Sequence, residues 1–406
     1  MTPSPGTSTQ VARLVELAET WSAHNYHPLP VVITRAEGVW VYDADGKRFM
    51  DMLSAYSALN HGHRHPRIIR ALKEQADKVT LTSRAFYNEP FGPFCEKLCR
   101  LAGQEMTLLM NSGAEAVETA IKTARMWAYR VKGVPRDRAE IVVCRDNFHG
   151  RTTTLVGFSS EPQYRDDFGP YDPGFRMIPY GDADALEGAI TPHTAAFLVE
   201  PVQGEAGILV PPSGYLARAA AICRKNRVLL IADEIQTGFG RCGKLFCHEH
   251  DGVTPDLVIV GKALGGGVMP VSAVLGSKAT LGLFRPGDHG STFGGNPLAC
   301  AVGMAALDVL VEERLVERSA EMGGYFMERL RALKSPHVRE VRGKGLLIGV
   351  EIRTERGKAR PYCERLMELG ILAKETHEQV IRFAPPLVIS REEADWALER
   401  IAKVLA

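Results

Sequence analysis

The sequence predicts an α/β fold in which helices cover both faces of a parallel sheet. Helical segments alternate with short apolar runs from about residue 50 to 298, as in βαβ units. The clearest runs are continuously apolar, as expected for strands buried on both sides. They cover residues 141–144, 195–199, 228–232 and 257–260. The chain has 406 residues, which is more than a single hydrophobic core usually contains, so two lobes are expected.

The segment before this region is predicted to pack with a later, smaller domain. Apolar residues recur at helical spacing over residues 11–25, so a first helix is expected. Residues 39–42 and 48–50 flank an Asp-Gly pair, which predicts a hairpin. We therefore assign residues 1–49 to an N-terminal segment and residues 50–298 to a large α/β domain.

The pattern changes after Asn296 and Pro297, where residues 299 to about 333 are rich in Ala, Leu, Met and Glu. This composition favours helices. Further elements are expected as a strand over 345–352, a helix near 359–369, a strand over 380–383 and an amphipathic helix from Arg391. We assign residues 299–406 to a smaller α+β domain.

Composition and charge argue against several classes of partner. Lys and Arg number 49 against 48 Asp and Glu, so no basic surplus indicates nucleic acid or an anionic membrane. No apolar run approaches the ~18–20 residues of a membrane helix. Residues 1–10 are polar, lack the features of a targeting peptide and are expected to form a frayed tail. The eight scattered cysteines favour reduced thiols in a cytosolic protein.

The most informative residue is Lys262, which follows the apolar run 257–260. A second run, 228–232, ends on the carboxylate of Asp233. Groups just beyond the carboxyl ends of parallel strands face the ligand crevice, so both side chains are expected in one pocket. Pyridoxal 5′-phosphate needs such a pair: an amine to form a Schiff base with its aldehyde, and an anion to keep its ring nitrogen protonated. A helix-capping role is the alternative for Asp233.

A phosphate site is expected where a helical pattern begins near residue 117. Ser112 and Glu115 form a capping-box sequence, and Gly113 lets backbone amides approach an anion closely. Alone, this motif describes an ordinary capped helix. Ile235 and Phe148, each just beyond a strand, are expected to cover the two faces of the cofactor ring.

Three patterns resemble other sites and are set aside. Residues 238–244 match most of a P-loop, but Leu245 stands where a Ser or Thr metal ligand is required. Three histidines alternate over 61–65 without a carboxylate at ligand spacing. The cysteines and histidines over 242–250 do not have zinc-finger spacing, so no metal site is predicted.

From about residue 20 onwards, the chain resembles the class III aminotransferases of fold type I. The matching segments are 25–30, 54–58, 81–88, 147–152, 199–205, 232–238, 261–264, 289–297 and 381–387. The resemblance implies a large, mixed, mostly parallel seven-stranded sheet, bound pyridoxal phosphate and a homodimer with shared active sites. Within the family, the segments are most similar to enzymes that move the δ-amino group of L-ornithine to 2-oxoglutarate.

The resemblance also implies roles around the cofactor. Lys262 would hold it covalently and shuttle the proton, Asp233 would pair with the ring nitrogen, and Gln236 would contact the phenolic oxygen. Thr292 would reach the phosphate in the other subunit. His149 departs from the animal enzymes, which have Trp there, and the change affects packing beside the ring. The implied cofactor residues are Gly113, Ala114, Phe148, Asp233, Ile235, Gln236, Lys262, Ser291 and Thr292.

The implied substrate site contains a switch. Arg382 would bind the α-carboxylate of glutamate, and Glu205 would neutralise Arg382 when ornithine is bound, because a bare buried guanidinium costs ~3–5 kcal/mol. Arg151 and Tyr26 would hold the α-carboxylate of ornithine, and Arg151 would hold the distal carboxylate of glutamate. Tyr56 would line the pocket and help exclude unsubstituted ω-amines such as 4-aminobutyrate. The implied substrate-binding residues are Tyr26, Tyr56, Arg151, Glu200, Glu205 and Arg382.

Two alternatives stay open. One is another class III enzyme acting on N-acetylornithine, 4-aminobutyrate or lysine. Tyr26 and Tyr56 favour free ornithine, since its charged α-groups need polar partners. The other alternative is a catalytically silent homologue that only binds ligands. The presence of Lys262, Asp233 and Arg382 argues against it.

Overall fold

The computed structural model describes residues 9–406, so the first eight residues of the predicted polar tail lie outside the described chain. The strands, numbered in chain order, are β1 (Ile33–Glu37), β2 (Trp40–Asp43), β3 (Arg48–Asp51), β4 (Met106–Met110), β5 (Glu140–Cys144), β6 (Phe175–Ile178), β7 (Thr194–Val199), β8 (Leu229–Asp233), β9 (Leu257–Val260), β10 (Ser272–Gly276), β11 (Val338–Lys344), β12 (Leu347–Ile352), β13 (Ile371–Leu372), β14 (Lys374–Thr376) and β15 (Val380–Phe383).

Helices connect and cover these strands. They run over Thr9–Trp21, Pro66–Ala76, Phe91–Ala102, Gly113–Trp127, Thr153–Gly157, Pro162–Arg165, Ala183–Ala189, Tyr215–Lys225, Pro297–Glu312, Leu315–Ala332, Arg360–Glu368 and Arg391–Leu405. The predicted long helical region after Pro297 is present and breaks at Arg314, whose φ of 53° is left-handed. Within residues 9–406, no helix combines the length and apolar character needed to cross a membrane.

A seven-stranded sheet forms the centre of the molecule, in the order β4-β10-β9-β8-β7-β5-β6. The strands from β9 to β6 pair in parallel, whereas β10 is antiparallel to both of its neighbours. This arrangement confirms the predicted mixed, mostly parallel sheet. Successive residues of each strand face opposite sides, as pleating requires. Thus Ile231 packs in the cluster beneath helix Gly113–Trp127, and Leu230 packs in the cluster beneath helix Tyr215–Lys225.

Two smaller sheets join the ends of the chain. The predicted hairpin is β2–β3, which β1 extends on one side and the short β13 extends in parallel on the other. The second sheet has the order β11-β12-β15-β14 and is antiparallel. The pairing of β3 with β13 brings the N-terminal segment against the C-terminal part. The domain boundaries at residues 49/50 and 298/299 stay a prediction.

Candidate active site

Two adjacent strands deliver the amine and the carboxylate that the sequence predicted. Asp233 is the last residue of β8 and is in register with Ile259 on the parallel strand β9. Lys262 lies two residues beyond β9 and begins a short 3₁₀ turn with a left-handed φ of 46°. Burial lowers the pKa of Lys262, and Arg382 lowers it further, while Glu205 and Asp233 act in the opposite direction. The ends of the two strands therefore meet at one place, with a readily deprotonated amine.

A cavity of about 180 Å³ lies at this edge of the sheet. It collects seven of the nine predicted cofactor residues together with Glu200. The lining residues are Gly113, Ala114, Phe148, His149, Gly150, Glu200, Val202, Asp233, Ile235, Gln236, Thr237 and Lys262. The predicted Ser291 and Thr292 are outside this set.

The start of helix Gly113–Trp127, where the phosphate is predicted to bind, forms part of the cavity wall. The predicted capping box is present: Glu115 N donates to Ser112 Oγ at 3.2 Å, and Ser112 N donates to Glu115 Oε2 at 2.6 Å. A Cβ on Gly113 would lie 3.0 Å from Ile235 Cδ1, so a side chain there would crowd the cavity wall. The helix start, with its unpaired amides and positive dipole end, is thus open to an anion.

Asp233 is held by a residue whose role sequence reasoning missed. His149 Nδ1 donates to Asp233 Oδ2 at 2.6 Å, and Ile235 N donates to Asp233 Oδ1 at 3.1 Å. Burial alone would lower the pKa of His149, but the Asp233 carboxylate outweighs it and raises the pKa. No helix begins after Asp233, so the capping alternative is wrong. The signal was available: His149 follows the aromatic expected on the cofactor ring.

Glu200 supports the loop that carries Phe148, the aromatic residue predicted to cover the cofactor ring. It lies one residue beyond β7, and its Oε2 accepts a hydrogen bond from Phe148 N at 3.0 Å. Burial raises the pKa of Glu200 to about 8, with His149 lowering it and Asp233 raising it. A neutral carboxyl here avoids placing two like charges in one dry site. Glu200 therefore contacts the wall of the cavity, and a direct substrate contact stays a prediction.

The predicted switch pair is in contact. Arg382, 2% exposed, donates from Nη1 to Glu205 Oε1 at 2.8 Å. Its Nη2 donates to Gly204 O at 3.0 Å and to Thr376 Oγ1 at 3.2 Å. Gln236 Nε2 donates to the same Glu205 oxygen at 3.0 Å. Burial alone would raise the pKa of Glu205, but Arg382 lowers it to about 2. The buried cation is thus neutralised by an ionised carboxylate beside the cavity.

The other predicted substrate residues, Tyr56, Tyr26 and Arg151, are not among the residues that line the cavity. The Tyr56 ring lies 5.3 Å from the Arg382 guanidinium carbon. Burial raises the pKa of Tyr56, with smaller electrostatic contributions from Glu205 and Tyr26. Tyr26 itself is 73% exposed. Arg151 stacks on Tyr164, with its guanidinium carbon 3.7 Å from the ring centroid.

Tyr56 lies on an unusual backbone segment, which we call the left-handed turn (Ser54–Ser57). Its φ values are 52°, 47°, 60° and 72°. Left-handed backbone costs ~1–2 kcal/mol for each non-glycine residue, so four in succession are seen only where the surroundings enforce them. The sequence does not reveal this turn, because none of its residues is the glycine or asparagine that such a conformation favours.

The two remaining cofactor predictions lie on a separate surface loop. Ser291 Oγ accepts hydrogen bonds from Asn111 Nδ2 and from Gly294 N, both at 3.0 Å. Thr292 is exposed, and the neighbouring Phe293 is 52% exposed. The role of Thr292 in a second subunit stays a prediction.

The motifs that were set aside have structural partners. His61 Nε2 lies 2.9 Å from Ala306 O, and His63 Nε2 lies 2.8 Å from Asp51 Oδ2. His65 pairs with Glu313 at 3.1 Å, so carboxylates absent from the local sequence arrive from distant elements. These histidines line an open groove of about 970 Å³ that does not include Lys262. In the P-loop-like segment, Arg241 is buried and donates to carbonyl oxygens.

Comparisons with known proteins agree over nearly the whole chain. A family model described as aminotransferase class-III matches residues 21–405. The ornithine aminotransferase of Brevibacillus brevis is 63% identical over 392 residues, covering 97% of this chain and 98% of that protein. The ornithine aminotransferase of Bacillus subtilis is 61% identical, with 97% of each chain covered.

Solved structures give the same picture. The ornithine aminotransferase of Toxoplasma gondii, solved with partial occupancy of pyridoxal phosphate at its active site, superposes with a TM-score of 0.96. It is 46% identical and covers 97% of this chain and 94% of its own. The acetylornithine aminotransferase of Elizabethkingia anophelis superposes with a TM-score of 0.88 at 48% identity, covering 97% and 98%.

Proposed function

Because the chain belongs to the class III aminotransferases, we propose that it is an ornithine δ-aminotransferase. It transfers the δ-amino group of L-ornithine to 2-oxoglutarate, giving glutamate 5-semialdehyde, which cyclises to pyrroline-5-carboxylate, and glutamate. Relatives with this activity in their names are 58–63% identical over nearly the full chain. The observation that carries the proposal is the buried ion pair between Arg382 and Glu205, 2.8 Å apart beside the Lys262 cavity.

Pyridoxal phosphate is the cofactor of this enzyme, and the residues present fit it. Gly113 leaves room at a helix start for a phosphate, and the buried polar atoms Gln236 Oε1 and His149 Nε2 have no partner within residues 9–406. When bound, the cofactor supplies an aldehyde that reacts with amines and a cationic ring that withdraws electrons from the substrate carbon. The residues that would hold it are Gly113, Ala114, Phe148, Asp233, Ile235, Gln236 and Lys262, with Ser291 and Thr292 from a partner subunit.

Lys262 would hold the cofactor and move the proton. Its lowered pKa favours the neutral amine, and only a neutral nitrogen can accept a proton from the substrate carbon. Asp233 would keep the ring nitrogen protonated through a charge-assisted hydrogen bond. His149 fixes the orientation of Asp233 by donating to its other oxygen, 2.6 Å away.

Two substrates of different shape must use one site, and the ion pair accommodates both. With ornithine bound through its δ-amine, Glu205 stays on Arg382, so no bare guanidinium is left, which would cost ~3–5 kcal/mol. Glutamate reacts at its α-carbon instead, and its α-carboxylate replaces Glu205 on Arg382 in bidentate geometry. Tyr26 and Arg151 would bind the ornithine α-carboxylate.

We also propose a homodimer in which Thr292 completes the partner's cofactor site. The support is a group of exposed aromatic side chains: Phe86 is 72% exposed, Tyr87 is 98% exposed and Phe293 is 52% exposed. Such open aromatic surface is typical of a protein–protein interface.

We place the enzyme in the cytoplasm, where it would link arginine breakdown to proline formation. The support is the state of the cysteines, since all eight are free thiols and six of them are buried. Unpaired thiols are typical of reducing compartments.

An amine-donor panel tests the substrate. With 2-oxoglutarate as acceptor, ornithine should give a higher kcat/KM than N-acetylornithine, 4-aminobutyrate or lysine, and Lys262→Ala should abolish the reaction. N-acetylornithine is the second candidate, because an acetylornithine aminotransferase of known structure is 48% identical. A higher kcat/KM for N-acetylornithine would replace our assignment with that one.

A further inference from the structure

The position of Tyr56 depends on a backbone segment that cannot support itself. All four residues of the left-handed turn (Ser54–Ser57) have φ between 47° and 72°. Inside the turn, the bonds Tyr56 N to Leu53 O at 3.1 Å and Ala58 N to Ser54 O at 2.9 Å close the chain. L-residues disfavour this conformation, so an outside group has to hold the turn in place.

Asp51, the last residue of β3, is that group. Its Oδ1 accepts hydrogen bonds from Leu53 N at 2.9 Å and from Ser54 N at 2.8 Å. These two amides lead into the turn, so one carboxylate oxygen sets where the left-handed segment begins. Asp51 is only 8% exposed, which strengthens both bonds.

The second oxygen of Asp51 is held by His63. His63 Nε2 donates to Asp51 Oδ2 at 2.8 Å. The His63 backbone is itself fixed, because its N–H and C=O both pair with Gly38, at 2.8 and 3.1 Å. The imidazole therefore joins the β1–β2 connection to the carboxylate that holds the turn.

The turn is also tied to the strand that carries Arg382. Ala384 N, just beyond β15, donates to Met52 O at 2.7 Å. The Tyr56 ring lies 5.3 Å from the Arg382 guanidinium carbon. A shift of the turn would thus move the phenol relative to the cation that chooses between the two substrates.

We propose that Asp51 and His63 are positioning residues for substrate selection, acting through Tyr56. This inference rests on the proposed function, in which Tyr56 lines the ornithine site and disfavours unsubstituted ω-amines. Asp51 is not among the residues that line the cavity. Its carboxylate, oriented by His63, keeps the turn left-handed and thereby keeps the phenol beside Arg382. Discrimination between ornithine and 4-aminobutyrate should therefore depend on a carboxylate outside the pocket.

The measurement is the ratio of kcat/KM for ornithine to kcat/KM for 4-aminobutyrate. Asp51→Ala should lower this ratio about tenfold, the size of effect that follows loss of a capping carboxylate. Asp51→Asn keeps an oxygen for the two amides and should restore most of the ratio. His63→Ala should give an intermediate fall. A purely structural loss would lower both rates equally and leave the ratio unchanged.

A double-mutant cycle decides whether the effect passes through Tyr56. In a Tyr56→Ala background, Asp51→Ala should change the ratio by less than about twofold, because the side chain being positioned is gone. Equal effects of Asp51→Ala in both backgrounds overturn the proposal. If His63→Ala folds and leaves the ratio of kcat/KM for ornithine to kcat/KM for 4-aminobutyrate unchanged, the proposal is also overturned. This test does not depend on whether Asp51→Ala folds.

Failure of the proposed function would be recognised separately. If the wild-type holoenzyme does not convert ornithine, the substrate assignment is wrong, and crystal structures then decide the positioning claim. Loss of the left-handed φ values at residues 54–57 in His63→Ala or Asp51→Ala supports it, and their retention in both overturns it.

Discussion

In the proposed function, the choice between two substrates depends on Arg382. It is 2% exposed, and Glu205 is its carboxylate partner, at 2.8 Å. Thr376 connects the two: its hydroxyl donates to Glu205 O at 2.5 Å and accepts from Arg382 Nη2 at 3.2 Å. The backbone of Glu205 is therefore anchored to the arginine even when its carboxylate moves away.

Glu205→Ala should weaken the ornithine half-reaction more than the glutamate half-reaction. With ornithine bound, the guanidinium loses its neutralising partner, whereas glutamate brings its own carboxylate. We expect a fall of at least ~160-fold for ornithine, which corresponds to the lower end of the ~3–5 kcal/mol cost of an unpaired buried charge. Single-turnover absorbance with each amine alone measures the two half-reactions. Glu205→Gln is the isosteric control, and equal losses for both amines would contradict the switch.

Tyr26→Phe and Arg151→Ala should raise KM for ornithine much more than KM for 4-aminobutyrate. Both residues lie outside the cavity lining, and the carboxylate of ornithine is one carbon farther from the reacting amine than that of 4-aminobutyrate, so ornithine is the substrate expected to reach them. Steady-state kinetics with both amines checks this. The same rise for the two substrates would show that these residues support the structure instead.

Two buried histidines should affect stability with opposite pH dependence. Asp233 raises the pKa of His149 above 6.5, so the folded protein keeps a proton that the unfolded chain releases. That stabilisation is fully present below pH 6.5 and is lost as pH rises through the higher pKa. His149→Phe should therefore cost most stability below pH 6.5 and progressively less above it. Urea unfolding midpoints from about pH 5 to about pH 9 measure the difference.

His61 provides the control of opposite sign. Burial lowers the pKa of His61 from 6.5 to about 4. Between these two pH values His61 is protonated in the unfolded chain and neutral in the folded protein. Acidification through this window should destabilise the wild type by up to about 3 kcal/mol, and His61→Asn should remove that part of the loss. If the stability loss in the His149 and His61 variants changed with pH in the same direction, the pKa shifts assigned to both histidines would be refuted.

At the scale of elements, the start of helix Gly113–Trp127 combines a structural and a binding role. A second capping box, Ser390 with Glu393, begins the C-terminal helix Arg391–Leu405 with the same hydrogen bonds. The two caps differ in what they face, because Gly113 lines the cavity and no residue of the C-terminal helix does.

Ser112→Ala should weaken cofactor retention, whereas Ser390→Ala should not. Each substitution removes one cap and should cost about 1 kcal/mol of unfolding free energy. Only the first also loosens the amides expected to bind the phosphate. Cofactor absorbance after dialysis, together with urea unfolding of both variants, separates the effects. Equal retention in the two variants would argue against a phosphate site at Gly113.

Sequence patterns did not reveal several strands, and two of these strands lack an apolar run. β1 has a mostly exposed burial pattern, and β11 buries only Val341. Both are edge strands of small sheets. Strands with little buried apolar surface show no clear alternation of apolar and polar residues. They are recognised only by their hydrogen bonds to neighbouring strands.

At the scale of the whole molecule, exposed aromatic side chains are the support for the proposed homodimer. Tyr87 is 98% exposed and its neighbour Phe86 is 72% exposed. Burying such groups against a second copy would recover apolar area that a monomer leaves in water.

Tyr87→Asp should convert a dimer into monomers and reduce activity, because Thr292 would no longer reach the partner's site. Sedimentation should find the wild type at twice 44.5 kDa and the variant at 44.5 kDa. Leu369→Asp, at a 39% exposed position after the helix Arg360–Glu368, is the control and should leave the mass unchanged. A monomeric, fully active wild type would contradict the shared site.

By itself, the sequence determined the alternating α/β architecture, the hairpin, the capping box and the meeting of Lys262 with Asp233. Each of these follows from residues close together in the chain, or from the rule that parallel strands end on one side of their sheet. The Arg382–Glu205 pair was expected only through family resemblance, since nothing local links positions 177 residues apart.

Only the tertiary structure decided which distant polar groups satisfy one another. His149 meets Asp233 across 84 residues, and Asp51 uses both oxygens to join a left-handed turn to His63. Burying a polar atom obliges it to find a partner, but the partner depends on which strands and loops become neighbours. That choice is made by packing, so the order of residues can place a group near the site, as it does for His149, but it does not identify the partner of that group.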